Sequence, residues 1–161
     1  MIGSPTELTK LQSDRLESQS GVDLITVDDP ASDVSQLLSR LRASAEVGKT
    51  VIGIRTTSRD GSAPDPLHAS QMLTLIIDLA VECADSMQLD GIYASGGDVA
   101  FAVLDALGAR GYEVENEVVP LAVSGKLVGG PHDGLGFATK GGLVGDADAA
   151  VECINQLRSR I

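Results

Sequence analysis

The sequence has almost no aromatic residues: two tyrosines, two phenylalanines and no tryptophan among 161 residues. Proteins that bind single-stranded nucleic acids stack the bases on aromatic side chains, and this chain lacks the side chains for such a platform. Basic residues are also few, with 12 lysines and arginines against 23 acidic residues and a formal net charge of -11. A surface this acidic repels a phosphodiester backbone, so we expect no nucleic-acid partner.

Cysteine and histidine are equally scarce, with two residues of each. Cys83 and Cys153 have no spacing typical of a metal or redox site, which predicts buried free thiols. His68 is predicted near the start of a helix and His132 in a loop. We find no apolar run of the length that a bilayer requires and no signal peptide at the start, so we expect no membrane partner and a cytoplasmic protein.

What the chain does contain is a large apolar fraction, 43% of its residues, and a length that suits one domain over residues 1–161. Its strand-like and helix-like segments alternate, which predicts an α/β fold with a mostly parallel sheet and helices on both faces, in a Rossmann-like three-layer arrangement. Residues 112–142 predict two or three further strands, antiparallel and near the C-terminus. Predicted strands cover 23–28, 50–57 and 91–95, and the helices after them include 67–87 and 98–108.

The first helix is predicted from a capping pattern. Ser4 is the expected N-cap, Pro5 occupies the first helical position, and Glu7 completes a capping box. Residues 1–4 resemble the end of a strand, so Ser4 would lie at a strand-to-helix turn.

Two short sequences resemble the end of a Walker A loop without meeting its requirements. Before "GKT" at 48–50 and "SGKL" at 124–127, the position of the first glycine holds Ala43 and Pro120. A strand rather than a helix follows the first of them. No G-x-G-x-x-G opens a helix either, so a dinucleotide-binding fingerprint is absent.

The segment "ASGGDVAF" is better placed for a ligand. Ser95, Gly96, Gly97 and Asp98 lie between a predicted strand and a predicted helix. Ligands of open parallel sheets bind at the carboxyl ends of strands, and the N–H groups of a helix N-terminus suit an anion. A plain turn, with Asp98 as an acidic residue of the first helical turn, explains the same residues.

Two other turns have the same predicted setting. Ser4 follows the first strand, and Lys140, Gly141 and Gly142 follow the strand that contains "GLGFAT". Such a lysine and glycine pair is also common in flexible loops. Three turns at one edge of one sheet favour a nucleotide phosphate site, in which Lys140 would be the cation.

Taken in order, these motifs resemble the C-terminal nucleotide-binding half of the four-carbon acid sugar kinases, which phosphorylate erythronate, threonate or 3-oxo-tetronate with ATP. The likeness covers nearly the whole chain. It implies that ATP and Mg²⁺ are the cofactors and that Ser4, Ser95, Gly96, Gly97, Asp98, Lys140, Gly141 and Gly142 surround the nucleotide. The matching segments are "GS" at 3–4, "SGGDVAFAVLDALGARG" at 95–111, "EVVP" at 117–120, "LVGGPHDGL" at 127–135 and "TKGGLVG" at 139–145.

The sequence also departs from that family. Val99 stands where the family usually has threonine, Leu121 where it has glycine, and Leu143 and Val144 close its last motif. The N-terminal domain, which in the family binds the sugar acid, has no counterpart here. The resemblance therefore implies a kinase domain that is inactive alone and that meets the sugar acid through another half, so that the chain is an excised domain, a truncated gene product or one subunit of a split enzyme. A homodimer through the face that this half would cover is a separate hypothesis. The alternative is a non-catalytic relative that serves as a binding or assembly module.

Overall fold

The structure is a computed structural model that describes residues 1–3, 6–57 and 65–159. These residues contain five α-helices and six β-strands. In chain order the elements are α1 (Glu7–Glu17), β1 (Val22–Val27), α2 (Val34–Glu46), β2 (Val51–Thr56), α3 (Pro66–Ser86), β3 (Gly91–Ser95), α4 (Gly97–Ala106), β4 (Gly111–Val119), β5 (Ala122–Val128), β6 (Gly136–Lys140) and α5 (Ala149–Arg158).

The strands form two hydrogen-bonded groups. Strands β1 and β2 are parallel, and the second group has the order β3-β6-β5-β4. Strand β6 is parallel to β3, whereas β5 runs antiparallel to both β6 and β4. The prediction of a mostly parallel sheet with antiparallel strands near the C-terminus is confirmed.

The N-terminal segment, residues 1–3, joins these two groups. Ile2 forms single parallel bridges to Arg55 and to Ser95, so the segment lies between β2 and β3. The N–H of Ile2 donates to the carbonyl of Ile54 at 3.0 Å. The ammonium group of Met1 donates to the Tyr93 carbonyl at 2.7 Å, and its burial lowers the pKa of that group to about 6.

Apolar side chains cover both faces of the sheet. One cluster packs α2, α3 and α4 against it, with Ile54, Ala94 and Phe137 on the strands. The other packs α1 and α5 against the opposite face, where Tyr93 and Ala138 lie. Successive side chains of a strand alternate between faces, which is why β3 and β6 contribute to both clusters. The three-layer α/β/α arrangement follows.

The start of α1 differs from the prediction. The helix begins at Glu7 with Thr6 as its N-cap, whose hydroxyl accepts from the N–H of Thr9 at 3.2 Å. The predicted cap with Ser4 and Pro5 was therefore wrong in position, and both residues lie outside the described part. A threonine caps a helix by the same hydroxyl geometry as serine, so Thr6 takes the role that was predicted for Ser4.

Helix α3 contradicts the statement that no apolar run is long enough to cross a bilayer. It has 21 residues and a mean hydropathy of 1.3 over its most apolar window, so by length and composition alone it is able to cross a bilayer. The statement that no run has the necessary length was therefore wrong. In the structure one side of α3 belongs to the core, with Ile76, Leu79 and Ala80 fully buried. Core helices of globular domains pass the same test.

The Walker-like sequences and the cysteines lie in the surroundings that the sequence predicted. Gly125 and Lys126 lie inside β5, and Lys49 lies between α2 and β2, so neither apparent Walker sequence precedes a helix. Gly125 faces a register shift in β4, where a Cβ atom would come within 1.9 Å of the Glu113 carbonyl oxygen. The thiols of Cys83 and Cys153 are free and buried, and burial raises the pKa of each to about 11.

Candidate functional site

Three turns meet at the carboxyl edge of the parallel strands. The N–H of Gly3 donates to the Ser95 carbonyl at 3.3 Å, and the N–H of Gly96 donates to the Lys140 carbonyl at 2.9 Å. The ends of the N-terminal segment, β3 and β6 are thus direct neighbours. The structure brings together the predicted residues 95–98 and 140–142 at one edge, where open parallel sheets bind ligands. Ser4, the remaining predicted site residue, lies outside the described residues.

The first turn of α4 is open to an anion. Gly96 is its N-cap with φ 111° and ψ 131°, a conformation that requires glycine, and no side chain caps the helix. Gly97 and Asp98 are exposed. A Cβ atom on Gly97 would meet no atom of the described residues within 4 Å, so packing among those residues does not explain the glycine there. The N–H groups of this turn carry the positive end of the helix dipole.

Ser95 contributes its backbone to this edge. Its side chain shares a face of β3 with Tyr93, which packs in the cluster under α1 and α5, and it is only 1% exposed. The turn between Gly96 and Asp98 leads into α4 on the other face. The hydroxyl of Ser95 therefore points to the opposite side of the sheet from α4.

Lys140 occupies a different environment from the one predicted. Its side chain is buried, with the residue 2% exposed, and its ammonium group donates to the Gly141 carbonyl at 3.0 Å. Burial lowers the pKa of Lys140, and a smaller contribution from Cys153 opposes this effect. The sequence predicted a flexible cation that serves the phosphate site, with a solvated loop lysine as the alternative. In this conformation the ammonium instead holds the first peptide group of the loop that it precedes.

Helix α1 holds the glycine loop that follows β6. The hydroxyls of Thr6 and Thr9 both donate to the Gly142 carbonyl at 3.0 Å. The side-chain amide of Gln12 donates to the carbonyls of Val144, at 3.0 Å, and Asp146, at 2.6 Å. Sequence reasoning missed this arrangement. Its only signal was that polar residues occupy positions on the inward face of α1, where leucine would be expected.

A pocket opens beside the first turn of α4, and its volume is about 420 Å³. It lies between the carboxyl ends of β2 and the N-terminal segment on one side and the first turns of α3 and α4 on the other. Asp98 is the one predicted site residue in its lining, and the neighbouring Val99 was noted only as a departure from the family. The other lining residues lie in three separate segments, 3, 56–57 and 68–76, which share no recognisable motif. The lining consists of Gly3, Thr56, Thr57, His68, Ala69, Ser70, Met72, Leu73, Ile76, Asp98 and Val99.

The chain has no cation site of its own among the residues that the structure describes. No three His, Cys, Asp or Glu side chains come together there in a way that could hold a metal ion. Asp98 is the one carboxylate in the pocket lining. Mg²⁺ typically binds through one or two carboxylates together with the phosphates of a nucleotide, and a single exposed Asp98 fits that mode rather than a preformed protein site.

Comparison with known proteins places this geometry in a family. Residues 1–150 match the family model described as the nucleotide-binding C-terminal domain. A D-erythronate kinase of Heliobacterium modesticaldum is 36% identical over an alignment that covers 100% of this chain and 42% of that protein. A D-threonate kinase of Bordetella bronchiseptica is 34% identical over 58% of this chain and 23% of its own length. The chain thus spans less than half the length of these relatives.

Solved structures share the fold over almost the entire chain. A Bordetella bronchiseptica protein with bound citrate, described as a domain-swapped dimer, aligns with a TM-score of 0.83 and 24% identity, over 98% of this chain and 40% of that one. A Haemophilus influenzae protein aligns with a TM-score of 0.77 and 17% identity, over 97% of this chain and 39% of the other. Together with the family match and the curated kinases, these likenesses give one answer. The chain belongs to the nucleotide-binding C-terminal domains of the four-carbon acid sugar kinase family.

Proposed function

We propose that the chain binds ATP at the carboxyl edge of its sheet, with the phosphates over the turn of Gly96 and Gly97. The observation that carries this proposal is Gly97, since its exposed position leaves open space above an uncapped helix N-terminus. Family membership as a nucleotide-binding domain supports it independently. Backbone N–H groups bind phosphate here although the protein as a whole is acidic.

The neighbouring residues take defined roles in this proposal. Gly141 and Gly142 let the adjacent loop approach the phosphates without a Cβ atom. Asp98 orients a water molecule of the Mg²⁺ ion that accompanies ATP. The Lys140 ammonium holds the loop through Gly141. Ser4 belongs to the same edge by its place in the sequence.

We further propose that the chain is the nucleotide-binding part of a kinase for a four-carbon sugar acid. The curated relatives named D-erythronate kinase and D-threonate kinase support this substrate class. Phosphoryl transfer depends on positioning and charge neutralisation, and the sugar acid would be positioned by a separate half. The homodimer remains a prediction; the domain-swapped dimer of the Bordetella structure is consistent with it.

A non-catalytic relative is the second candidate function. Val99 favours it, because this residue lines the pocket in place of the hydroxyl-bearing residue that the family usually has. The test supplies a matching acid-binding half together with the sugar acid. This candidate is selected if the chain binds ATP but no phosphate is transferred to the acid.

Substitution of Gly97 by valine tests the nucleotide site. The new side chain has room in the folded protein, but it covers the N–H groups of the first turn of α4. We expect Gly97→Val to weaken ATP binding by about tenfold or more, equivalent to roughly 1.4 kcal/mol, as measured by isothermal titration calorimetry.

The control is Gly111→Val at the start of the edge strand β4. A Cβ atom there also has room, its nearest neighbour being Val128 at 3.7 Å. This variant should bind ATP as tightly as the original protein. If both variants keep full affinity, or if the original protein binds no ATP, the proposed phosphate site is wrong.

A further inference from the structure

The pocket beside α4, whose lining is given above, is called here the α3–α4 pocket. It differs chemically from the glycine turns next to it. Its inner wall is aliphatic, with Met72, Ile76 and Val99 buried and Leu73 half-buried. Hydroxyl and imidazole groups lie at other points of its lining, on Thr56, Thr57, Ser70 and His68. An apolar cavity with a few polar groups suits a neutral, partly apolar ligand rather than a phosphate.

The two helices that flank this pocket differ at their N-termini. Helix α3 is capped by Asp65, whose carboxylate accepts from the N–H of His68 at 3.4 Å. This bond satisfies one of the N–H groups at the start of α3. Both helices have a carboxylate at their start, because Asp98 lies in the first turn of α4, but α4 has no side-chain cap. The uncapped N–H groups of α4 therefore suit the anionic group of a ligand, and the α3 side of the pocket suits the uncharged part of the same molecule.

The pocket and the glycine turn are continuous. Asp98 and Val99 line the pocket and also belong to the first turn of α4, directly after Gly97. Gly3 lines the same pocket, and its N–H is bonded to the Ser95 carbonyl at 3.3 Å. A ligand that extends from the pocket to the turn crosses about one helical turn, roughly 5 Å. This short distance matches a molecule with two chemically distinct ends.

We propose that the α3–α4 pocket binds the base and ribose of the nucleotide while the turn at Gly96 and Gly97 binds its phosphates. This inference rests on the proposed function and assigns the parts of the ligand within it. The volume of about 420 Å³ falls within the range of pockets that hold small ligands. Among the described residues, no phenylalanine, tyrosine or tryptophan lines the pocket, so in this proposal the base lies between aliphatic side chains of α3 and α4.

A variant that fills the pocket tests the assignment. Ala69 is exposed on the first turns of α3 and lines the pocket, so Ala69→Trp occupies the cavity from outside the core. We expect this variant to lose affinity for adenosine and ATP by about tenfold or more, yet to bind inorganic tripolyphosphate like the original protein. Gly97→Val should show the reverse pattern, with tripolyphosphate affected and adenosine retained. Ala43→Trp, on an exposed position of α2, should leave all three ligands unaffected.

Each outcome decides between the two proposals. If the original protein binds ATP and Ala69→Trp binds it equally well, the pocket assignment is wrong while the proposed function stands. If the original protein binds neither ATP nor adenosine, both fail. Photolabelling of the original protein with 8-azido-ATP gives an answer independent of any variant. Labelled peptides from α3 or from 56–57 support the assignment, whereas labelling confined to 119–144 overturns it.

Discussion

At the scale of single residues, the backbone conformation of Leu121 departs most clearly from what its side chain prefers. Its φ is +68°, and it is the one residue other than glycine with a positive φ in the described part of the chain. The resemblance to the kinase family implies glycine at this position. The left-handed conformation costs an L-residue about 1–2 kcal/mol, so the leucine is a source of strain in the turn between β4 and β5.

Replacement of Leu121 by glycine should therefore stabilise the protein. The side chain is 77% exposed, so its removal costs little packing. We expect the free energy of unfolding to rise by about 0.5–1 kcal/mol after the entropic cost of glycine is included. Urea unfolding followed by circular dichroism measures this change.

Leu143 provides the matched control. It is exposed to the same extent, 77%, and lacks a positive φ. Leu143→Gly should lower the stability or leave it unchanged. A gain of equal size in both variants would mean that the backbone strain at Leu121 is not its cause.

At the scale of elements, α1 acts on the candidate site through the loop that follows β6. Its side chains bond to carbonyl groups of Gly142, Val144 and Asp146. The loop has no regular secondary structure between β6 and α5. Its conformation therefore depends on α1, which packs on the face of the sheet opposite α4.

Gln12→Leu tests this dependence. Gln12 is 1% exposed, and its loss leaves two loop carbonyls without their donor. We expect a loss of about 1–3 kcal/mol in stability, together with faster hydrogen exchange of the amides in 143–146. The exchange distinguishes loosening of the loop from a general loss of stability.

A glutamine outside this contact is the control. Gln36 is exposed on α2, and Gln36→Leu should change neither the stability by more than about 0.5 kcal/mol nor the loop exchange. Equal exchange in the loop of the Gln12 variant and of the original protein would contradict the role given to α1.

At the scale of the whole molecule, the length of the chain decides what activity to expect. It spans 42% of the D-erythronate kinase that it resembles. We expect the 161-residue chain alone to transfer no phosphate from ATP to erythronate or threonate, because the sugar acid has no second half to position it. A coupled assay for ADP release, with the intact relative as the positive control, measures this. Turnover at a rate comparable with that of the relative would refute the expectation.

The sequence alone determined the larger features of this fold. The alternation of apolar strands with amphipathic helices is a local pattern, and it predicted the three layers and the antiparallel strands near the C-terminus. The ordered set of motifs between Gly3 and Gly145 resembles one kinase family, and the family match over residues 1–150 confirms that resemblance. The common edge of the turns at Gly96 and Lys140 followed from the rule that parallel strands end on the same side.

Only the tertiary structure decided which side chains face the candidate site at the carboxyl edge of the sheet. Strand alternation buries the side chains of Ser95 and Lys140 under α1 and α5, whereas α4 leaves from the other face. The α3–α4 pocket and the contacts of Gln12 join residues that are distant in sequence and individually unremarkable in type. Sequence patterns report which face of an element is apolar, but a pocket exists only where several elements pack without filling the space between them. That packing is set by the whole chain at once, which is why the edge that holds the candidate site was predictable and the shape of its pocket was not.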